Sequence, residues 1–425
     1  MLKFTGLHEK TTINMYKKLG LLSIFGLLSI GVHAQSSLKP GTWNASLHRS
    51  DGNKIIFNIA VEKLNGKIVL YVVNEPERML VDDVKQVKDS LFVNMPLFES
   101  SFKLKIIAKD SLSGTWTKKG SKQDIVMPFT ASARVPYRFA AVNGDATAQV
   151  QGKWAVNFLK KDGKSSGAIG DFSQDGNKVS GSILTPTGDY RYLSGIVTGD
   201  ELFISTFDGV HAMVFTAKVN KDSLTNGVVY SSNAPTQTWA AKKNEDVKLT
   251  YSNELRLKDG EDGTLNFSFK DINGKQVSIQ DERYKNKVVI IQIMGSWCPN
   301  CMDETAFLSE FYDKNKDRGV EVIGLAYEYT TDPVRSKYSL SKFQKRFNVK
   351  YPLLIAPVAL SDPQKTAKTL PQLTEISVFP STIILDKNGK VSSITSDFSG
   401  PGTGEYYTKY KTHFEAKINK LLEAK

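Results

Sequence analysis

The strongest constraint on this chain is that part of it occurs twice. Gly41-Thr42-Trp43 returns as Gly152-Lys153-Trp154, and Asp89-Ser90-Leu91-Phe92-Val93 returns as Asp200-Glu201-Leu202-Phe203-Ile204, both at an interval of 111 residues. Asp110-Ser111-Leu112 and Asp222-Ser223-Leu224 follow at an interval of 112. One shared tripeptide is chance. Three shared segments, in order and at nearly one spacing, imply a duplication covering 38–135 and 149–242.

Both copies read as β structure. In SFKLKII, Phe102, Leu104 and Ile106 fall on one face and Lys103 and Lys105 on the other, the period of two of a half-buried strand. In the second copy Met213, Phe215, Ala217 and Val219 share a side. Turn signals such as Asp51-Gly52-Asn53, Asn65-Gly66-Lys67 and Asp175-Gly176-Asn177 separate the runs. The spacing predicts about eight short strands per copy, as in an antiparallel meander or barrel. The opening Gly-x-Trp of each copy resembles the first strand of lipocalin-like barrels. Trp43 and Trp154 are expected to be core plugs rather than ligand platforms, because small barrels are filled by their own side chains.

After a charged stretch at 243–262, read as a linker, the pattern changes. KVVIIQIM (287–294) is a near-continuous apolar run, the mark of a strand buried on both faces. DETAFLSEFYDK (303–314) carries Phe307, Leu308 and Phe311 at helical spacing, and VEVIGLAY (320–327) is a second buried strand. A basic helix over 334–347, a strand at TIILD and a terminal helix over 406–423 follow. The expected architecture is multidomain: two duplicated antiparallel all-β domains, then an α/β domain over 263–425.

The only two cysteines of the 425 residues, Cys298 and Cys301, lie between the 287–294 strand and the 303–314 helix. Zinc would need two more Cys or His ligands, and four of the five histidines (8, 33, 48, 211 and 413) are outside this domain. A purely structural bridge would close a tiny loop and remove little entropy from the unfolded chain. A redox pair fits the position better. Unpaired N–H groups at the helix start favour a thiolate on the first sulfur, so Cys298 is expected to be the exposed nucleophile and Cys301 the resolving thiol.

Residues 255–425 resemble the thioredoxin-like superfamily, and within it the exported thiol–disulfide oxidoreductases of the TlpA/ResA type. The resemblance rests on the hairpin-like FSFKDINGKQVSI (267–279), on Trp-Cys-Pro-Asn-Cys, on an insertion over 327–356, and on Val378-Phe379-Pro380-Ser381-Thr382 followed by IILDKNGKV. It implies a thioredoxin-like fold with Pro380 cis and opposite Cys298, and a substrate-binding face made by Trp297, Pro299, Phe379 and Pro380. It also implies an active-site carboxylate at or near Glu328, which could accept a proton from Cys301. Gln292 stands where cytoplasmic thioredoxins keep a buried aspartate, so that proton route is absent. The redox pair needs no further cofactor. Protein disulfides would be the substrates and a membrane thiol–disulfide protein the electron donor, with a potential between roughly −270 and −200 mV.

The N-terminus reads as an export signal. Tyr16-Lys17-Lys18 precedes a 14-residue apolar run (19–32), and Val32-His33-Ala34 offers a cleavage site over residues 1–34, with Met15 as an alternative start. The run is shorter than the ~20 residues that span a bilayer, and no cysteine follows it for lipid attachment. Export to the periplasm is expected, with membrane association if the signal is retained. The formal charge of +12 is spread over dispersed lysines, without the basic run and interleaved aromatics of a nucleic-acid binder. Two other classes remain open: a thiol peroxidase, and a ligand- or glycan-binding protein with an accessory redox domain.

Overall fold

The structure, a computed structural model, describes residues 38–159, 163–232, 234–250 and 255–424. The expected signal segment, 1–34, lies outside the described residues. The first β segment supplies β1 (Gly41–His48), β2 (Lys54–Leu64), β3 (Lys67–Asn74), β4 (Glu77–Val81), β5 (Val84–Val87), β6 (Ser90–Asn94), β7 (Ser100–Ala108), β8 (Ser111–Lys118) and β9 (Ile125–Ser132). They pair in the order β4-β3-β2-β1-β9-β8-β7-β6-β5, antiparallel throughout. β4 and β5 end the sheet on opposite sides, yet only Asp82 and Asp83 separate them in the chain. So short a link spans only ~10 Å, so the sheet must curl until its ends nearly meet.

The second β segment supplies β10 (Gly152–Leu159), β11 (Ser165–Asp175), β12 (Lys178–Thr185), β13 (Gly188–Asp189), β14 (Leu193–Thr198), β15 (Glu201–Phe207), β16 (Ala212–Asn220), β17 (Ser223–Ser231) and β18 (Gln237–Lys243). Here β11 pairs with β12 as well as β10, which closes the ring and leaves the two-residue β13 as an edge on β12. Gly41 and Gly152, Lys54 and Ser165, and Lys67 and Lys178 open corresponding strands, each pair 111 residues apart. The hairpins are set by local chemistry: Asn65 and Gly66, both at positive φ, make the two-residue turn from β2 to β3. Trp43 and Trp154 are fully buried, and each indole donates to the carbonyl four residues back, on Lys39 (2.9 Å) and Val150 (2.7 Å).

Phe207 leaves its own barrel and enters the first sheet. Its ring stacks on Phe57 at 4.1 Å between centroids and meets Phe102 and Trp116 edge-on. The space left among Ile59, Val72, Val93, Phe129 and Phe207 is about 20 Å³, room for about one water. Between the copies Arg138 is buried, donating to the carbonyls of Ser205 and Val73 and to Asn58 Oδ1. Burial pulls its pKa down to about 10.

The remaining chain forms a hairpin, β19 (Ser268–Lys270) and β20 (Gln276–Ser278), and then β21 (Val288–Met294), α1 (Pro299–Asn315), β22 (Val320–Ala326) and α2 (Pro333–Phe347). β23 (Leu353–Ile355), α3 (Lys365–Thr369), β24 (Ser381–Leu385), β25 (Val391–Thr395) and α4 (Glu405–Glu423) complete it. The sheet order is β23-β22-β21-β24-β25, parallel across the first three strands and antiparallel beyond them. All of β21 is buried, as its unbroken apolar run requires. α1 starts four residues before the apolar periodicity does, because Pro299 at its first turn and Cys298 as its N-cap extend it. Within the segment read as a linker, Leu255 is buried and Leu257 bridges Leu373. Among the described residues no helix is long and apolar enough to cross a membrane.

Candidate active site

β21 ends at Met294, and Gly295-Ser296-Trp297 carries the chain to the start of α1. Cys298 is the N-cap: its Sγ accepts the Cys301 N–H at 3.2 Å. The Cys298 thiol donates to the Phe379 carbonyl at 3.6 Å, and the Phe379–Pro380 bond is cis. Trp297 stacks on Tyr329 at 5.4 Å, meets Phe379 edge-on at 5.3 Å, and donates its indole N–H to the Tyr327 carbonyl at 2.8 Å. Trp297, Phe379 and Pro380 thus gather at Cys298, and Pro299, half-buried, opens the helix beside it. Both cysteines are free thiols. Burial, and after it the hydrogen bond with Cys298, raises the Cys301 pKa well above the ordinary thiol value.

The expectation of an exposed Cys298 does not hold: it is 3% exposed. Solvent access depends on what packs over a site, which the local sequence pattern does not record.

Two buried carboxylates flank the pair. Glu328, just beyond β22, accepts from the Ser296 N–H at 2.8 Å and from the Ser296 hydroxyl at 2.6 Å. Both its oxygens therefore hold the loop that precedes Trp297. Glu304 lies three residues beyond Cys301, on the same face of α1. Its Oε1 accepts from the Thr382 hydroxyl at 2.6 Å and the Tyr410 hydroxyl at 3.1 Å, while Oε2 is buried without a partner. Burial raises each carboxyl to about 7, and the charge of Glu304 is among the causes that raise Cys301. Gln292 donates to the Cys301 carbonyl at 3.3 Å and accepts from the Thr305 hydroxyl at 3.1 Å, pinning the helix start to β21.

Residues 258–406 match the Redoxin family. A Bacillus cereus protein named thiol-disulfide oxidoreductase ResA is 29% identical over 160 residues, which cover 38% of this chain and 80% of the relative. Its Bacillus subtilis counterpart is 24% identical over 146 residues, covering 34% and 72%. The C-terminal domain is thioredoxin-like, of the TlpA/ResA type. By class the chain is a thiol–disulfide oxidoreductase. Among solved structures, a putative thiol:disulfide interchange protein DsbE from Chlorobium tepidum is 18% identical and spans 39% of this chain and 99% of its own, with a TM-score of 0.30. A putative protein disulfide isomerase from Bacteroides thetaiotaomicron is 23% identical, spanning 41% and 95%, also at 0.30.

Sequence reasoning missed two parts of this thioredoxin-like site. Glu304 reads as one more acid at a helix start, where acids favour the dipole; its spacing from Cys301 was the available signal. The second part is the set of contacts from the β half, which no local pattern announces. The Asn300 side chain accepts from the Asp189 N–H and donates to the Asp189 carbonyl, each at 3.2 Å. Asp303, one turn on, takes a two-pronged contact from the buried Arg191 (2.8 and 2.9 Å), and Arg191 also reaches Glu77 at 2.6 Å. Burial raises Asp303 to about 6 against the opposing pull of Arg191.

Proposed function

We propose that this chain is an exported reductase of protein disulfides, working through Cys298 and Cys301, with two copies of one β unit carried ahead of its redox domain. The observation that supports this most directly is the placement of Cys298 Sγ at the cap of α1, facing the Phe379 carbonyl, with Cys301 buried one turn behind it. The Cys298 thiolate attacks one sulfur of a substrate disulfide, forming a mixed disulfide and releasing the first substrate thiolate. Cys301, after losing its proton, attacks Cys298 Sγ; the Cys298–Cys301 disulfide forms and the second substrate thiolate leaves. Two electrons pass to the substrate, and a membrane thiol–disulfide donor returns them.

Because burial opposes ionisation of Cys301, its proton needs an acceptor inside the protein. Glu304, with a free oxygen, a raised pKa and a place one turn from Cys301, fills that role. Glu328 is the positioning residue: it fixes Ser296, and through it the Trp297 and Cys298 backbone. A ligand-binding role for the first β sheet is opposed by the small space beside Phe207.

The test is insulin reduction by the full chain, with Cys298→Ser and Cys301→Ser beside it. The wild type should be active and Cys298→Ser inert, while Cys301→Ser should accumulate a mixed disulfide whose partner can be identified. An inert wild type, or a Cys298→Ser variant that retains activity, would discard the reading.

A further inference from the structure

The β half stands on both sides of Cys298. On one side, Phe98, Glu99, Lys118, Lys119 and Val210 close a space of about 20 Å³ over Ser296, Trp297 and Tyr329. This foot is held to α2: Arg335 pairs with Glu99 at 2.9 Å and donates to the Gly120 carbonyl at 3.1 Å, and Lys342 donates to the Phe98 carbonyl at 3.0 Å. Phe98 is held there at φ +63°, a conformation that bulky residues seldom take. On the other side, β13 sits on Asn300, the second of the two residues between the cysteines, while the Asp189 carboxylate accepts from the Gly400 N–H at 2.8 Å.

We infer that the β half is a gate over the active site, and that the Gly188–Arg191 segment is the latch that decides which disulfides reach Cys298. The inference rests on Cys298 being the attacking sulfur. Attack requires a substrate sulfur against Cys298 Sγ, with the substrate chain beside Phe379. These two residues are 3% and 9% exposed. In the latched arrangement a folded protein cannot present its disulfide there, whereas a small disulfide has far less to fit.

The latch is built to release. Its contacts are charged and polar groups taken out of water, and Coulomb attraction between buried charges is largely offset by their desolvation. Separation returns Arg191, Asp303 and Glu77 to water, so opening gives back much of what it breaks. The apolar part of the contact includes Phe98, edge-on to Phe343 of α2, and Val210, which lines the same small space as Trp297.

The chain has two cysteines, so Cys301→Ser leaves Cys298 as its sole thiol, and labelling reads that sulfur whether or not the protein reduces insulin. The probes are N-ethylmaleimide and a maleimide bearing a long polyethylene glycol chain, applied to the native and the guanidinium-unfolded protein. In the native protein the bulky probe should be slowed far more than the small one. Adding Arg191→Ala should then raise bulky labelling about tenfold or more while a melting transition remains. Gly188→Ala should do the same independently: Gly188 is at φ +133°, and a Cβ there would collide with Asn300 Oδ1. It carries the comparison if Arg191→Ala does not fold. Bulky labelling of the native parent at its unfolded rate would overturn the gate, and so would folded latch variants labelled no faster than the parent. If neither variant folds, the size ratio in the parent decides.

Discussion

At the scale of single residues, Glu304 and Glu328 are held at about 7 by burial and Asp303 at about 6. The unfolded chain releases these protons near pH ~4, so between there and pH 7 the folded state binds more protons than the unfolded one. Stability from these groups is full below the unfolded value and is lost as pH rises through the folded one. Glu304→Gln should therefore flatten the fall in melting temperature between pH 5 and 8, removing ~2–3 kcal/mol of pH dependence at most. Scanning calorimetry of both proteins across that range checks it, and parallel curves would count against a buried, proton-holding Glu304. The same variant should slow disulfide exchange by ~10-fold or more and erase an inflection near pH 7 in the rate profile. Glu328→Gln should keep that inflection if, as proposed, Glu328 holds the Ser296 loop and the Cys301 proton passes to Glu304. If Glu328→Gln erases it and Glu304→Gln does not, the two roles are exchanged.

Among elements, the most informative is the tip of β15, where Phe207 completes a core that is not its own. Its stacking on Phe57 and its edge contacts with Phe102 and Trp116 make Phe207→Ala a cavity-forming change in the first sheet. A loss of ~3–5 kcal/mol is expected, measured by guanidinium unfolding, together with new uptake of a small apolar probe such as benzene. A near-neutral variant would show that Phe207 only rests on the first sheet. Strand positions themselves were open to reading, because alternation such as Phe102-Lys103-Leu104-Lys105-Ile106 writes burial into the sequence with period two. The 111-residue interval likewise fell on the strand starts. What Phe207 does could not be read, since no periodicity says which barrel a side chain fills. α1 shows the same divide: Phe307, Leu308 and Phe311 marked the helix, but Asn300 and Asp303 gave no sign of partners on another domain.

For the whole molecule, the electron balance is the decisive property. Equilibration with glutathione redox buffers should place the Cys298–Cys301 couple between roughly −270 and −200 mV, and a value near −120 mV would make the protein an oxidant instead. The candidate site was legible because a buried strand, two cysteines three residues apart and a helix follow one another within a short stretch. Its enclosure was not, because cover is supplied by chain a hundred residues and more away: Asp189 and Arg191 on one side, Phe98 and Glu99 on the other.

Glu77 and Gly188 are the first residues of β4 and β13, 111 positions apart. The corresponding edges of the two β units therefore meet at Arg191, which pairs with Glu77 of the first unit and with Asp303 of α1. Two equivalent surfaces cannot both answer a single charge in the same way: two acids would strand Asp303, and two arginines would leave a cation over. The two β units are consequently not interchangeable at this point, however alike their strand orders are. Replacing Glu77 by arginine would set two guanidiniums against the one carboxylate of Asp303. The three residues are coupled by charge, which makes this small cluster the place where two similar β units differ as a left and a right.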